Sequence, residues 1–223
     1  MQKIVAISDT HLFSQEKLTN QLHQIFKNNP DSILIHAGDA LNEGSFQDAV
    51  VFLKWFESLP FEHKIFVPGN HDCAFDDMFK PSYASAEHIM KMNISESKTI
   101  APSIEILINN VLNINGITFG GVSSCTDFWG WAFWQNENTI KRLFDAFPKV
   151  DVLISHAPFK GCDSFNENKF MKNYLIKNNI KTVICGHMHR RYGFEKVSDV
   201  NIYNVSILND EYEHVNQPTL ITI

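Results

Sequence analysis

The chain has 223 residues, 44% hydrophobic and 20% charged, which is the composition of a folded globule rather than a disordered segment. Its formal charge of −6 argues against a protein built to grip duplex nucleic acid, which carries a basic footprint. No apolar stretch approaches the roughly 18 residues of a membrane span, and the first apolar run is too short for a signal-peptide core, so the expectation is a cytoplasmic protein with no membrane part.

Taken in chain order, short β-branched runs predict strands at 4–7, 33–36, 64–67, 117–122, 152–155, 182–185 and 202–206, with a last strand at 220–223. Runs 104–108 and 111–114 flank Asn109-Asn110 and suggest a hairpin there. Helical periodicity falls at 15–27, 46–59 (capped by Ser45), 138–147 and 169–177. Between residues 74 and 102 the periodicity is weak, and one or two short helices are expected in an irregular excursion. No repeat, low-complexity tract or linker divides the chain, so residues 1–223 are read as one α/β domain in which helices cover a mixed or paired sheet core.

Five polar clusters follow predicted strands: Asp9-Thr10-His11, Gly38-Asp39, Gly69-Asn70-His71-Asp72, His156, and Gly186-His187-Met188-His189. Loops leaving the carboxyl ends of neighbouring strands converge on one edge of a sheet, where sites form. Alternate residues of an extended segment face the same way, which aims Asp9 with His11, and His187 with His189, into one pocket. Imidazole and carboxylate together suit Mn, Fe or Zn better than Ca. Seven candidate ligands exceed one tetrahedral site and suit two ions about 3.5–4 Å apart sharing a carboxylate.

In this order the clusters resemble the full motif series of the calcineurin-like metallophosphoesterases, across nearly the whole chain. The resemblance implies two packed mixed β-sheets flanked by helices, in four layers (α/β/β/α). It implies that Asp9, His11 and His189 hold one divalent ion and that Asn70, His156 and His187 hold a second, with Asp39 bridging. Mn²⁺ or Fe is the leading identity and Zn²⁺ the next. His71 matches the family's histidine that contacts the phosphate or protonates the leaving oxygen, and Asp72 is read as the group that orients its ring. The expected activity is phosphoester hydrolysis by metal-activated water, on a small phosphodiester such as a cyclic nucleotide. The alternatives are a phosphomonoesterase, a nuclease or a non-catalytic scaffold.

A narrower resemblance, to the brain-protein-239 type within the metallophosphoesterase-domain-containing subgroup, rests on His36-Ala37-Gly38-Asp39 and on segments 55–72 and 120–134. One departure counts against a protein phosphatase. Where the family's protein Ser/Thr phosphatases carry an Asp-Arg-Gly segment that grips phosphate, this chain reads Ala40-Leu41-Asn42-Glu43-Gly44, without the arginine.

Other conspicuous residues have plainer readings beside the functional ones. His23, His36, His63, His88 and His214 are read as structural or solvated, with His36 near enough to Asp39 to support the site. The aromatic run 128–134 suits core packing or a wall for a substrate ring, with Trp129 and Trp131 as the candidate contacts. Arg190 suits a phosphate contact or a solvated loop. The four cysteines lack C-x-x-C spacing and read as small buried hydrophobes, with Cys73 alone near the site. Oligomeric state leaves no mark in the sequence.

Overall fold

The computed structural model describes residues 1–13, 15–42, 44–79, 91–124, 130–158 and 169–223. The expectations for Trp129, Cys125, Cys162 and His88 lie outside these residues. The strands are β1 (Lys3–Ile7), β2 (Ile33–His36), β3 (Lys64–Phe66), β4 (Ile104–Ile106), β5 (Asn110–Ile114), β6 (Ile117–Val122), β7 (Val152–Ser155), β8 (Thr182–Cys185), β9 (Gly193–Val197), β10 (Val200–Asn204) and β11 (Thr219–Thr222). The helices are α1 (Gln15–Asn28), α2 (Phe46–Ser58), α3 (Ile94–Ile100), α4 (Glu137–Ala146) and α5 (Lys169–Asn178).

The strands form two mixed sheets. One runs β11-β1-β2-β3-β4, and the other β5-β6-β7-β8-β10-β9. Pairing is parallel from β1 to β4, with β11 antiparallel on the edge. It is parallel again through β6, β7, β8 and β10, with β5 and β9 antiparallel at the edges.

Side-chain alternation assigns the layers. Ile4 and Ala6 of β1 and Ile33 and Ile35 of β2 pack with Val152, Ile154 and Ile184 of the other sheet. The intervening Val5, Ile7 and Leu34 pack outward on Leu18 and Leu22 of α1 and on Phe52 and Phe56 of α2. On the far side Leu153, Val183 and Cys185 meet Ile140 and Phe144 of α4 and Tyr174 of α5. The result is the four-layer α/β/β/α arrangement that the resemblance implies. Each fully buried Phe, Leu or Ile contributes roughly 1.5–3 kcal/mol.

Local chemistry sets the helix starts. Ser45 caps α2 by accepting the Asp48 N–H at 3.0 Å. Asn93 and Glu96 form a reciprocal capping box on α3, which is the short helix expected in the excursion.

The hairpin expected at Asn109-Asn110 is absent. β4 pairs with β3 in one sheet, whereas β5 pairs with β6 in the other, so that turn carries the chain between sheets. The true hairpin joins β5 to β6 through Asn115 (φ 53°) and Gly116 (φ 81°). Two consecutive left-handed residues make the turn whose twist matches paired strands. β9 had no counterpart among the predicted strands; three of its five residues are exposed, so it carries little apolar signal.

Candidate metal centre

The five polar loops meet at the carboxyl ends of β1, β2, β3, β7 and β8. Backbone hydrogen bonds zip them together. Asp9 N–H donates to Gly38 O at 2.9 Å and His11 N–H to Asp39 O at 3.1 Å. Past its end β1 also reaches the second sheet, where Ser8 bridges Ser206 in parallel. Four of the seven proposed ligands have left-handed backbones: Asp9 (φ 52°), His11 (φ 44°), Asp39 (φ 53°) and His187 (φ 68°). Such conformations are unfavourable for these residues and cluster where function demands them.

Two sets of side chains converge. Asp9, His11 and His189 form one, and Asp39, His156 and His187 the other; within each set the ligand atoms lie within 4.8 Å of one another. Asn70 joins the second set through its Oδ1, 3.1 Å from His156 Nε2. Asp39 stands between them, with Oδ2 3.1 Å from His156 Nε2 and 3.9 Å from His11 Nε2. All seven proposed ligands are thus brought together.

The orientation of the rings tests whether cations fit. His11 Nδ1 faces Leu41 O at 3.0 Å, His156 Nδ1 faces Ala37 O at 2.9 Å, and His189 Nδ1 faces Asn209 O at 2.8 Å. A carbonyl only accepts, so each Nδ1 carries the proton and each Nε2 turns a lone pair inward. His11 Nε2 is buried and has no hydrogen-bond partner. His156 Nε2 also faces His187 Nδ1 at 3.2 Å. Lone pairs and carboxylate oxygens turned on one another repel unless positive charge lies between them. The donor set of imidazoles, carboxylates and one amide suits divalent first-row ions.

In the metal-free protein protons supply part of that positive charge. Burial opposes ionisation of Asp9 and Asp39, yet the His189 hydrogen bond to Asp9 and the His156 charge beside Asp39 hold both carboxyls well below their usual range. Burial also opposes charge on His156 and His189, but the neighbouring carboxylates raise them to about 9 and about 8. Burial pushes His11 down to about 4. A cation entering the cluster would meet two ionised carboxyls and would displace the protons that His156 and His189 hold.

Supporting residues lock the ligands. Asp9 Oδ2 accepts from Ser8 Oγ at 2.5 Å and Ser206 Oγ at 2.6 Å, and both its oxygens receive the His187 N–H at 3.0 Å. A Cβ at Gly186 would stand 2.5 Å from Asp9 Oδ2, so only glycine fits there. His36 is fully buried and meets Thr10 Oγ1 at 2.9 Å, steadying the residue between Asp9 and His11.

His71 stands outside both sets. Its Nδ1 donates to Asn42 O at 2.6 Å, and its ring lies 4.8 Å from His11 and 4.3 Å from Trp131. The reading of Asp72 as the residue that orients this ring is corrected. Asp72 is fully buried and accepts the N–H groups of Asp39 at 2.9 Å, Leu41 at 2.9 Å and Gly69 at 2.7 Å. Adjacent residues need not point the same way, and the ring takes its bearing from Asn42 instead. Burial and the Asp39 charge push the Asp72 pKa up to about 7.

The ligands open into a cleft of about 400 Å³, lined also by Trp131, Arg190, Asp210 and Tyr212. Trp131 is held beside the ligands by the bond of Ala132 N–H to Asn70 O at 3.3 Å. Arg190 reaches the cleft with its Nε on Asp210 Oδ2 at 2.9 Å. Asp210 and Tyr212 were missed in the sequence because no motif surrounds them; the one local signal is the polar Asn209-Asp210 pair after the apolar 205–208 segment. Cys73, although next to the His71 loop, is buried with a thiol pushed up to about 12, and takes no part.

Known proteins resemble this chain in sequence or in fold. Human metallophosphoesterase domain-containing protein 1 is 25% identical over 240 residues, spanning 99% of this chain and 71% of that protein. A UPF0046 protein of Caenorhabditis elegans is 28% identical over 230 residues, spanning 99% and 75%. The solved structure of TT1561 from Thermus thermophilus has the same fold, with a TM-score of 0.61 at 12% identity over 91% of this chain and 88% of that one. The calcineurin-like phosphoesterase family model matches residues 2–191. With that match over most of its length, joined to a site that can hold divalent cations, the chain belongs to the calcineurin-like phosphoesterase family of metal-dependent hydrolases.

Proposed function

We propose that the chain is a dinuclear phosphodiesterase acting on small phosphodiesters, cyclic nucleotides among them, with Mn²⁺ or Fe in the two sets and Zn²⁺ as an alternative. The observation that carries this reading is the position of Asp39 Oδ2, within 3.1 Å of His156 Nε2 and 3.9 Å of His11 Nε2. A single carboxylate oxygen facing ligands of both sets is what two ions sharing a bridge require. When bound, the ions supply Lewis acidity and lower the pKa of coordinated water toward neutrality.

The chain's own groups do the rest. Asp39 Oδ1 accepts the His71 N–H at 2.8 Å, which ties the bridge to the histidine's backbone. His71, held through Nδ1–H on Asn42 O, presents Nε2 to a phosphoryl group seated over the ligands. A proton carried on Nε2 passes to the leaving oxygen. A diester has one ionised oxygen, and its neutral arms suit a rim with flat rings. We also propose a cytoplasmic setting, since Cys73 and Cys185 are free thiols and no helix among the described residues is long and apolar enough to cross a membrane.

The test is turnover of bis(p-nitrophenyl) phosphate by the purified full chain loaded with Mn²⁺, beside p-nitrophenyl phosphate and 2′,3′- and 3′,5′-cyclic nucleotides. Preference for the diesters is expected. Failure with Mn²⁺, Fe²⁺ and Zn²⁺ alike, in protein that holds about two metal equivalents, would sink the reading.

A further inference from the structure

The rings that line the cleft form a row with two ends. Centroids lie 4.3 Å apart from Trp131 to His71, 4.8 Å from His71 to His11 and 5.0 Å from His11 to Tyr212. Tyr212 also meets His189 at 5.5 Å, and Phe13 backs it at 6.1 Å. Its ring thus touches two residues of the Asp9 set while 41% of the residue remains exposed to the cleft and solvent.

The chain strains itself to place that ring. Tyr212 has φ 61°, a conformation that a bulky side chain rarely adopts. Asn209 imposes it. The Asn209 side-chain oxygen accepts the N–H groups of Glu211 at 3.1 Å and Glu213 at 2.8 Å. Its backbone carbonyl accepts the Tyr212 N–H at 3.0 Å and also His189 Nδ1–H at 2.8 Å. One residue therefore sets both a proposed ligand and the ring beside it. A tyrosine serving only the core would be buried, and strain of this kind persists where the surroundings over-determine it.

We propose that Tyr212 determines specificity: its ring is the wall against which the retained arm of a phosphodiester lies, and it favours a flat, apolar arm. The proposal rests on the phosphodiesterase reading. A phosphoryl group over Asp39 and His11 sits midway along the row. His71 and Trp131 occupy one end, where the departing oxygen takes its proton. The Tyr212 end is left for the arm that stays.

Bis(p-nitrophenyl) phosphate and methyl p-nitrophenyl phosphate share a leaving group and differ in the retained arm. In the Mn²⁺-loaded full chain, Tyr212→Ala should shrink the preference for the aryl diester by roughly tenfold, through KM more than kcat, the scale of one aromatic contact. Tyr212→Phe, which keeps the ring, should keep the preference, and metal stoichiometry should not change in either variant. Calorimetric titration with phenylphosphonate and methylphosphonate gives a readout independent of turnover. The native chain should bind the phenyl compound more tightly, and Tyr212→Ala should erase the difference. Equal weakening of both ligands, or an unchanged preference in Tyr212→Ala, overturns the proposal. Absent turnover with every metal overturns the phosphodiesterase reading instead, and the phosphonate titration then decides the role of Tyr212 alone.

Discussion

Asp72 accepts the backbone N–H of Asp39 at 2.9 Å, so the carboxylate beside His71 is a strut of the bridging loop and not part of the catalytic pair. Replacing Asp72 by alanine would strand three buried N–H groups, those of Asp39, Leu41 and Gly69. Each stranded donor costs about 1–3 kcal/mol, so a loss of roughly 3–9 kcal/mol is expected. Urea denaturation of the metal-free protein measures it. A variant as stable as the native chain but inactive would return Asp72 to the catalytic group.

Asp39→Asn should weaken metal binding at both sets together. The His71 N–H already claims Oδ1 at 2.8 Å, which fixes the amide oxygen there and turns the NH₂ toward His156 and His11. Donors would then stand where acceptors stood. Metal analysis after gel filtration should find both equivalents reduced; loss of one alone would contradict a shared oxygen.

His71→Ala should keep the metals and lose rate, by about 10²–10⁴-fold if the ring acts as general acid. The loss should be smaller for a p-nitrophenolate leaving group than for an alkoxide, because a good leaving group needs little protonation. Parallel rates on aryl and alkyl diesters measure this. Equal losses on both would leave His71 only a phosphate contact.

Gly186→Ala should cripple the Asp9 set while sparing the fold. The added Cβ would stand 2.5 Å from Asp9 Oδ2 and close on Ser8 Oγ, and both belong to the locked ligand. The expected outcome is loss of about one metal equivalent with a circular dichroism spectrum like that of the native chain. Full metal content would show that the β8 loop can give way.

The ligands were legible because each follows a strand and the strands end at one edge; their short motifs survive reading in one dimension. His71 was separable for the same reason. Asp72 was misplaced because its partners come from residues 39, 41 and 69, which only folding brings together. The Asn109-Asn110 turn looked like a hairpin because two apolar runs flank it. The Asn115-Gly116 turn was overlooked, though its residue pair was the stronger signal. Tyr212 escaped notice: only the polar Asn209-Asp210 pair marks its neighbourhood, and its importance arises from contacts with His11 and His189.

The bridge from Ser8 to Ser206 puts the metal centre on the seam of the sandwich. Asp9 and His11 leave one sheet and His189 the other; Asp39 and Asn70 leave the first, His156 and His187 the second. Any cation held there rivets two layers that otherwise meet through a largely apolar interior and a few hydrogen bonds at this edge. Chelation should then be felt far from the chemistry, as faster hydrogen exchange along β1 and β8, and the protein's working lifetime would follow the supply of metal in its surroundings as closely as its rate does.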